Sequence, residues 1–105
     1  MTHLKTNKKI PTYNTYKIRA NKNYPDEDMI SAGEFNSMSI KDCFFCGVKG
    51  PNGIERHDNN IGYTLENCVP CCSHCSYVKG DFSLQIFTEW ENRFVKFQSK
   101  KMNLI

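Results

Sequence analysis

The chain has 105 residues, enough for one domain with a modest hydrophobic core, and it carries a net charge of +3 and six cysteines. No stretch approaches the ~18 apolar residues that a membrane span needs. The N-terminal residues lack the apolar segment of a secretory signal. We therefore expect an intracellular protein of the cytoplasm, nucleus or a virion, which is neither secreted nor embedded in a membrane.

Basic residues are concentrated at the two ends of the chain. Residues 1–24 and 93–105 contain no acid, whereas residues 25–92 hold all 11 acidic residues. This asymmetry favours a polyanionic partner such as DNA or RNA over a tail that only aids solubility. Tyr13, Tyr16 and Tyr24 lie among the lysines and could stack on bases. The predicted N-terminal contacts are Lys5, Lys8, Lys9, Lys17, Arg19 and Lys22.

The first part of the chain is predicted to be an arm and the rest a folded domain. Residues 1–30 are polar and basic, so we expect a partly disordered or extended arm, followed by a domain over residues 31–105. A short helix over 15–23 is compatible with the sequence. Pro25 and the acidic residues after it would end that helix.

A capping signal marks the first helix of the predicted domain. Ser31 is followed three residues later by Glu34, the spacing at which each side chain bonds the backbone N–H of the other. The pattern predicts a helix over residues 32–39, and this helix would bury Phe35 and Met38.

The middle of the chain reads as a turn, a β-hairpin and a short helix. Glycines and a proline predict turns over residues 43–53. Residues 54–69 are rich in strand formers, and the polar run 57–60 would supply the hairpin loop. A helix is predicted over 73–79, ending at Gly80.

The last element is the most regular. Ser83 is a plausible N-cap, and the apolar residues after it recur at helical spacing. They are Leu84, Phe87, Trp90, Phe94 and Phe97. This stripe predicts an amphipathic helix whose apolar face packs in the core.

Two Cys-x-x-Cys pairs predict a structural metal site. Each pair can place two thiolates on one side of an ion, so Cys43, Cys46, Cys72 and Cys75 would complete a tetrahedral zinc site. In a reducing compartment this reading is favoured over disulfides. The overlapping pair formed by Cys68 and Cys71 has a workable spacing too. We favour Cys72 and Cys75 because a helix beginning there would stabilise thiolates.

Further residues around these cysteines form a series of motifs. In order they are Cys43-x-x-Cys46-Gly47, Ile54-Glu55-Arg56-His57-Asp58-Asn59, Gly62-Tyr63-Thr64, Glu66-Asn67-Cys68-Val69-Pro70-Cys71-Cys72, Cys75 and Lys79-Gly80. Over about residues 43–80 the chain resembles the HNH endonucleases, closest to the zinc-stapled kind of phages and large DNA viruses. The resemblance implies a small α+β domain, a treble-clef or ββα-metal fold with an amphipathic C-terminal helix.

The resemblance also implies an activity, metal-assisted hydrolysis of DNA with Mg²⁺ or Mn²⁺ at the centre. The implied site residues are Glu55, Arg56, His57, Asp58, Asn67 and Ser76. Glu55 and Asp58 would bind the catalytic ion, and His57 would serve as a displaced general base. Arg56 stands where the family has its histidine and would instead clamp phosphate, as would Lys79. Ser76 stands where the family has asparagine or histidine.

Two alternatives to an active or weakened nuclease follow from these departures. The chain could be a non-catalytic nucleic-acid-binding module whose basic ends grip phosphates. It could instead be a zinc-stabilised structural subunit of a large assembly, a virion or a ribonucleoprotein. In that role residues 1–24 would thread across protein neighbours.

Overall fold

The computed structural model describes residues 11–103, which form four helices and two strands. In chain order the elements are α1 (Tyr13–Asn23), α2 (Ala32–Ser39), β1 (Gly53–Arg56), a short 3₁₀ turn (Leu65–Asn67), β2 (Cys68–Cys71), α3 (Ser73–Lys79) and α4 (Leu84–Asn103). The predicted contacts Lys5, Lys8 and Lys9 lie outside the described residues. The fold is a small α+β domain, which confirms the predicted fold class.

The two strands form an antiparallel pair in which Ile54 lies opposite Pro70 and Glu55 lies opposite Val69. Because side chains alternate along a strand, Ile54 points into the core and Glu55 points to the other face, towards α3. The strands are shorter than the predicted hairpin, and their connection spans residues 57–67 rather than 57–60. The strand-type residues within that span lie in the loop instead.

Helices α1 and α2 cover the core face of this sheet. The buried cluster consists of Tyr16, Ala20, Ile30, Phe35, Ile54, Tyr63 and Cys68. The Tyr16 ring lies at its centre, 5.6 Å from the Phe35 ring and 5.2 Å from the Tyr63 ring. The Tyr16 hydroxyl accepts a hydrogen bond from the Ile54 N–H, which ties α1 directly to β1.

This packing corrects the prediction of an N-terminal arm for residues 11–30. Tyr16 and Ala20 are four residues apart on α1, so they share the face that enters the core. The Tyr13 hydroxyl donates to the Ile30 carbonyl, and the Tyr24 hydroxyl donates to the Asn59 carbonyl. The three tyrosines that were expected to stack on bases therefore hold the N-terminal segment to the body.

Helix α2 begins as predicted. The Ser31 Oγ accepts from the Glu34 N–H at 3.1 Å, and the Glu34 carboxylate accepts from the Ser31 N–H at 2.9 Å, so the capping box is complete. Phe35 is buried and Met38 is partly buried against the core. The capping residues bring these two side chains to the sheet because they fix where the first helical turn starts.

Helix α4 corrects the prediction that its whole apolar stripe is core. Phe87 is buried and its ring lies 5.0 Å from that of Phe45, but Trp90, Phe94 and Phe97 are exposed. A helix of 20 residues is about 30 Å long. Its first turns lie on the body, where the Leu84 N–H donates to the His57 carbonyl. The remainder extends beyond the body, which is consistent with a longest dimension of 53 Å against 29 and 19 Å.

Candidate functional site

Four cysteine sulfurs converge between the turn before β1 and the start of α3. The Sγ atoms of Cys43, Cys46, Cys72 and Cys75 all lie within 4.8 Å of one another. The Cys46 and Cys72 sulfurs are 3.8 Å apart, the edge length of a tetrahedron with metal–sulfur bonds of about 2.3 Å. The sulfurs selected from the sequence thus form a group that could hold one metal ion.

Local backbone structure brings each pair of sulfurs to the same side. Gly47 has a φ of 78°, a conformation that glycine adopts without strain, and its N–H donates to the Cys43 carbonyl to close the first turn. In the second pair Cys72 is the N-cap of α3, and its sulfur accepts from the Cys75 N–H at 3.4 Å. The helix that the sequence predicts therefore positions both sulfurs of that pair.

Backbone amides favour the thiolate form of one of the four cysteines, Cys43. Burial raises the pKa of Cys43, but N–H groups of Cys46, Cys72 and Phe45 outweigh it and bring this pKa down to about 7. For Cys75 burial dominates, and its pKa is raised. A divalent ion would supply the charge that deprotonates such a thiol. The donors thus fit a metal that prefers sulfur.

The competing pair lies outside this group. Cys68 and Cys71 are both buried, and neither belongs to the converging sulfurs. Burial raises the pKa of Cys68 to about 12, and it also raises the pKa of Cys71. Both therefore remain protonated thiols that fill core volume, a common place for free cysteine.

Asn67 organises the loop that carries His57 and Asp58. Its Oδ1 accepts from the Asp58 N–H at 3.0 Å, and its Nδ2 faces the carbonyls of Asp58, Ile61 and Gly62 at 2.9 to 3.2 Å. Its own carbonyl accepts from the His57 N–H at 2.8 Å. Asn67 is buried, so this one side chain satisfies the backbone of a long loop and sets its path.

A buried ion pair contains Glu55, one of the two carboxylates predicted to bind a catalytic ion. The Lys79 Nζ lies 3.1 Å from the Glu55 Oε2 and 3.3 Å from the Asn59 Oδ1. The other Glu55 oxygen accepts from the Ser76 hydroxyl at 2.8 Å. The Lys79 side chain is 0% exposed and that of Glu55 is 12% exposed. Both carboxylate oxygens thus have internal partners, and the prediction that Lys79 is a surface contact for nucleic acid is wrong.

Arg56 faces the inside of the loop rather than a surface phosphate. Its Nη1 donates to the Tyr24 hydroxyl at 2.6 Å and to the carbonyls of Asn59 and Ile61 at 3.2 Å. Its guanidinium lies over two tyrosine rings, 4.9 Å from the Tyr63 centroid and 5.5 Å from that of Tyr24. The cation therefore joins the N-terminal segment to the loop, in place of the expected phosphate clamp.

His57 and Asp58 line an open groove against the start of α4, together with Ser83, Gln85 and Glu89. Both His57 and Asp58 are partly buried. The Asp58 Oδ1 accepts from the Asn60 N–H at 2.9 Å, so this carboxylate stabilises its own turn. Of the six implied site residues, Glu55 and Ser76 meet directly, whereas His57 and Asp58 face a separate groove.

Several partners in this region were not found from the sequence. Lys79 follows Ser76 by three residues on α3, so the two share a helix face. That spacing, together with the position of Glu55 on the sheet face opposite the core, could have predicted that Ser76 and Lys79 both contact Glu55. The contact of Arg56 with Tyr24 joins residues 32 positions apart in the chain, so no local sequence pattern indicated it.

The basic residues of α1 are on the surface. Lys17, Arg19 and Lys22 are all exposed, on the sides of the helix that do not enter the core. The Arg19 guanidinium lies 5.6 Å from the centroid of the Tyr16 ring. These three are the predicted N-terminal contacts that the structure describes.

No helix within residues 11–103 is both long and apolar enough to cross a membrane.

Comparison with known proteins identifies a viral relative of this chain. The chain is 40% identical over 77 residues to a protein of Acanthamoeba polyphaga mimivirus that is named only as uncharacterized protein R423. The match covers 70% of this chain and 14% of the relative, so the chain spans about a seventh of that viral protein. No model of a known protein family matches the chain, and no solved structure matches it.

Proposed function

We propose that this chain is a zinc-stapled module of the HNH type that binds nucleic acid and has lost the hydrolytic centre. The observation that carries this proposal is the buried ion pair of Lys79 with Glu55. In an active site of this type a divalent cation would need the Glu55 carboxylate as a ligand. Here the Lys79 ammonium provides the compensating positive charge, and it cannot activate water as a metal ion does.

The arrangement of elements supports the HNH-type architecture. A strand pair with a long loop is followed by a short helix, and the cysteine pairs lie before the first strand and at the start of that helix. This is the order that the resemblance implies for a treble-clef zinc cage around a ββα unit. Four sulfurs without a carboxylate or an open position are typical of structural zinc rather than catalytic zinc.

Exposed positive charge supports binding to nucleic acid. Lys17, Arg19 and Lys22 project from α1, and the sequence from residue 1 to residue 24 contains no acid that would offset them. Contacts of this kind reach phosphates and carry little sequence information, so the expected binding is salt-dependent and tolerant of sequence.

Fluorescence anisotropy with labelled DNA and RNA tests the binding. The zinc-loaded chain should bind at low salt, and affinity should fall steeply as salt is added. Replacing both Lys17 and Lys22 by glutamate should lower the slope of log K against log salt by about 2 for a duplex, because each phosphate contact contributes about 0.9. Lys49→Glu, at an exposed lysine outside α1, is the control and should leave the slope unchanged. An unchanged slope in the double variant would contradict the assigned surface.

An active nuclease is the second candidate, and one observation favours it. The loop that carries His57 and Asp58 is held by Asn67, and both side chains line an open groove. A histidine there could act as a general base. Glu55, however, is bonded to Ser76 and Lys79, and within residues 11–103 no group of three or more His, Cys, Asp or Glu side chains that includes His57 converges closely enough to hold a metal ion. The Lys79–Glu55 ion pair therefore favours the non-catalytic module over an active nuclease.

A further inference from the structure

The outer face of α1 combines two amides, an apolar residue and positive charge. Asn14, Ile18 and Asn21 are spaced by 4 and 3 residues, so they form a stripe along one side of the helix. Each successive residue turns a helix by about 100°, which places Lys17 on one side of this stripe and Lys22 on the other. All five residues are exposed. The core face of α1 lies elsewhere, so packing does not determine which residues form the stripe.

The residues of this stripe are not the ones that an exposed helix needs for its own stability. Asparagine and isoleucine are weaker helix formers than alanine, lysine or glutamate. Ile18 also leaves an apolar side chain 60% exposed near the middle of the helix. The first turn of α1 contains no acidic residue, although one there would stabilise the helix. Residues that do not serve folding and lie together on an exposed face indicate a binding surface.

We propose that this face of α1 lies in the major groove of duplex DNA. The inference rests on the proposed nucleic-acid binding and adds the kind of nucleic acid and the groove. The major groove of B-form DNA is about 12 Å wide and admits an α-helix. Asparagine amides pair with adenine edges there, and an apolar side chain such as that of Ile18 can contact the thymine methyl group. Contacts this few specify little sequence, so most of the affinity still comes from phosphates.

The charge around α1 complements DNA. The helix contains Lys17, Arg19 and Lys22 and no acid, and residues 1–12 add three lysines and no acid. The two lysines that flank the stripe supply a cation for each of the phosphate backbones that border the groove. The acidic run 26–28 comes only after the C-terminal end of α1, so phosphate repulsion acts at that end. The N-terminal turns should therefore enter the groove deepest.

The structure favours duplex DNA over single strands and over duplex RNA. Tyr13 and Tyr16 are the aromatic residues of α1, and both pack on the Phe35 ring with centroids 5.6 Å away. They are therefore not open to stack on unpaired bases, which is how single strands are usually held. In duplex RNA the major groove is deep and narrow, and side chains cannot read it. The outer face of a helix matches the groove of B-form DNA best.

Fluorescence anisotropy of the zinc-loaded 105-residue chain with labelled duplexes of one base sequence tests the proposal. The probes are DNA, RNA, and DNA in which every cytosine is a glucosylated 5-hydroxymethylcytosine, whose sugar occupies the major groove. The unmodified DNA duplex should bind about ten times more tightly than either of the others, the difference expected when a good base contact is lost.

A double variant, Asn14→Ala with Ile18→Ala, separates base contacts from phosphate contacts. It keeps every charge, and alanine favours a helix, so the variant should fold and its salt dependence should stay unchanged. Its preference for duplex DNA over duplex RNA should fall by about fivefold or more. Asn36→Ala, at an exposed position of α2, is the matched control and should keep the full preference.

Equal binding to all of the duplexes would overturn the placement in the major groove and leave the proposed phosphate contacts intact. Tighter binding to single-stranded DNA than to the duplex would overturn it in the same way. A double variant that keeps the full preference for duplex DNA would contradict the assigned face of α1. Failure to bind any of these nucleic acids would contradict the proposed function as well.

Discussion

At the scale of single residues, the buried Lys79 side chain is expected to contribute strongly to stability. It is fully buried and its ammonium neutralises Glu55. Lys79→Met would leave a buried carboxylate without its cation, so we expect a loss of about 3–5 kcal/mol in the free energy of unfolding. Urea denaturation of the zinc-loaded protein measures it. Adding Glu55→Gln to Lys79→Met should recover part of the loss, and two losses that simply add would contradict the coupling.

Tyr16 gives the fold a dependence on alkaline pH. Burial raises the pKa of its phenol from 10.0 to about 12, against a smaller opposing effect of the Ile54 N–H. The unfolded chain releases this proton at lower pH than the folded chain does. Its contribution is therefore complete below about pH 10 and is lost as pH rises to about 12, by about 3 kcal/mol in total.

The comparison of Tyr16→Phe with wild type isolates this contribution. The variant lacks the hydroxyl that accepts from the Ile54 N–H, so it should be less stable at neutral pH. Between about pH 10 and pH 12 its deficit in unfolding free energy should shrink. A constant deficit in urea denaturation across that range would contradict the assigned pKa.

At the scale of elements, the capping box of α2 contributes a separable share of stability. Ser31→Ala removes the acceptor for the Glu34 N–H and should cost about 1 kcal/mol. Ser37→Ala, at an exposed position inside the same helix, is the control and should not destabilise the chain. Thermal or urea unfolding of both variants measures the difference. Equal effects at the two positions would show that the cap contributes nothing of its own.

Elements that depend on residues close together in the sequence could be predicted, whereas positions that depend on contacts between distant residues could not. The capping box and the cysteine pairs depend on residues a few positions apart, so α2, α3 and the sulfur group could be placed from the sequence. The path of residues 57–67 depends on the buried Asn67 amide, and the core position of α1 depends on Tyr16 meeting β1. Periodicity identified α4 but could not tell a core face from a surface face.

At the scale of the whole molecule, we expect that a metal ion held by the four cysteines decides whether the chain folds. The buried apolar cluster is small, and the two strands are only four residues each. The binding free energy of structural zinc, about 10–16 kcal/mol, is comparable to the whole stability of a small domain. Removing zinc with a chelator should therefore unfold the chain, as followed by circular dichroism. Cys46→Ser should lose zinc, and Cys68→Ala should retain one ion per chain; retention by both would contradict the assigned ligands.

The central claim is that the Lys79–Glu55 pair has replaced a hydrolytic metal centre. Incubating supercoiled plasmid with the zinc-loaded chain in Mg²⁺ or Mn²⁺ tests it most directly, with His57→Ala as the comparison variant and zinc content verified in each sample. We predict that the plasmid stays supercoiled in either metal while the chain remains folded and bound to DNA. Nicking that requires the added metal and disappears in His57→Ala would contradict the claim and establish an active nuclease.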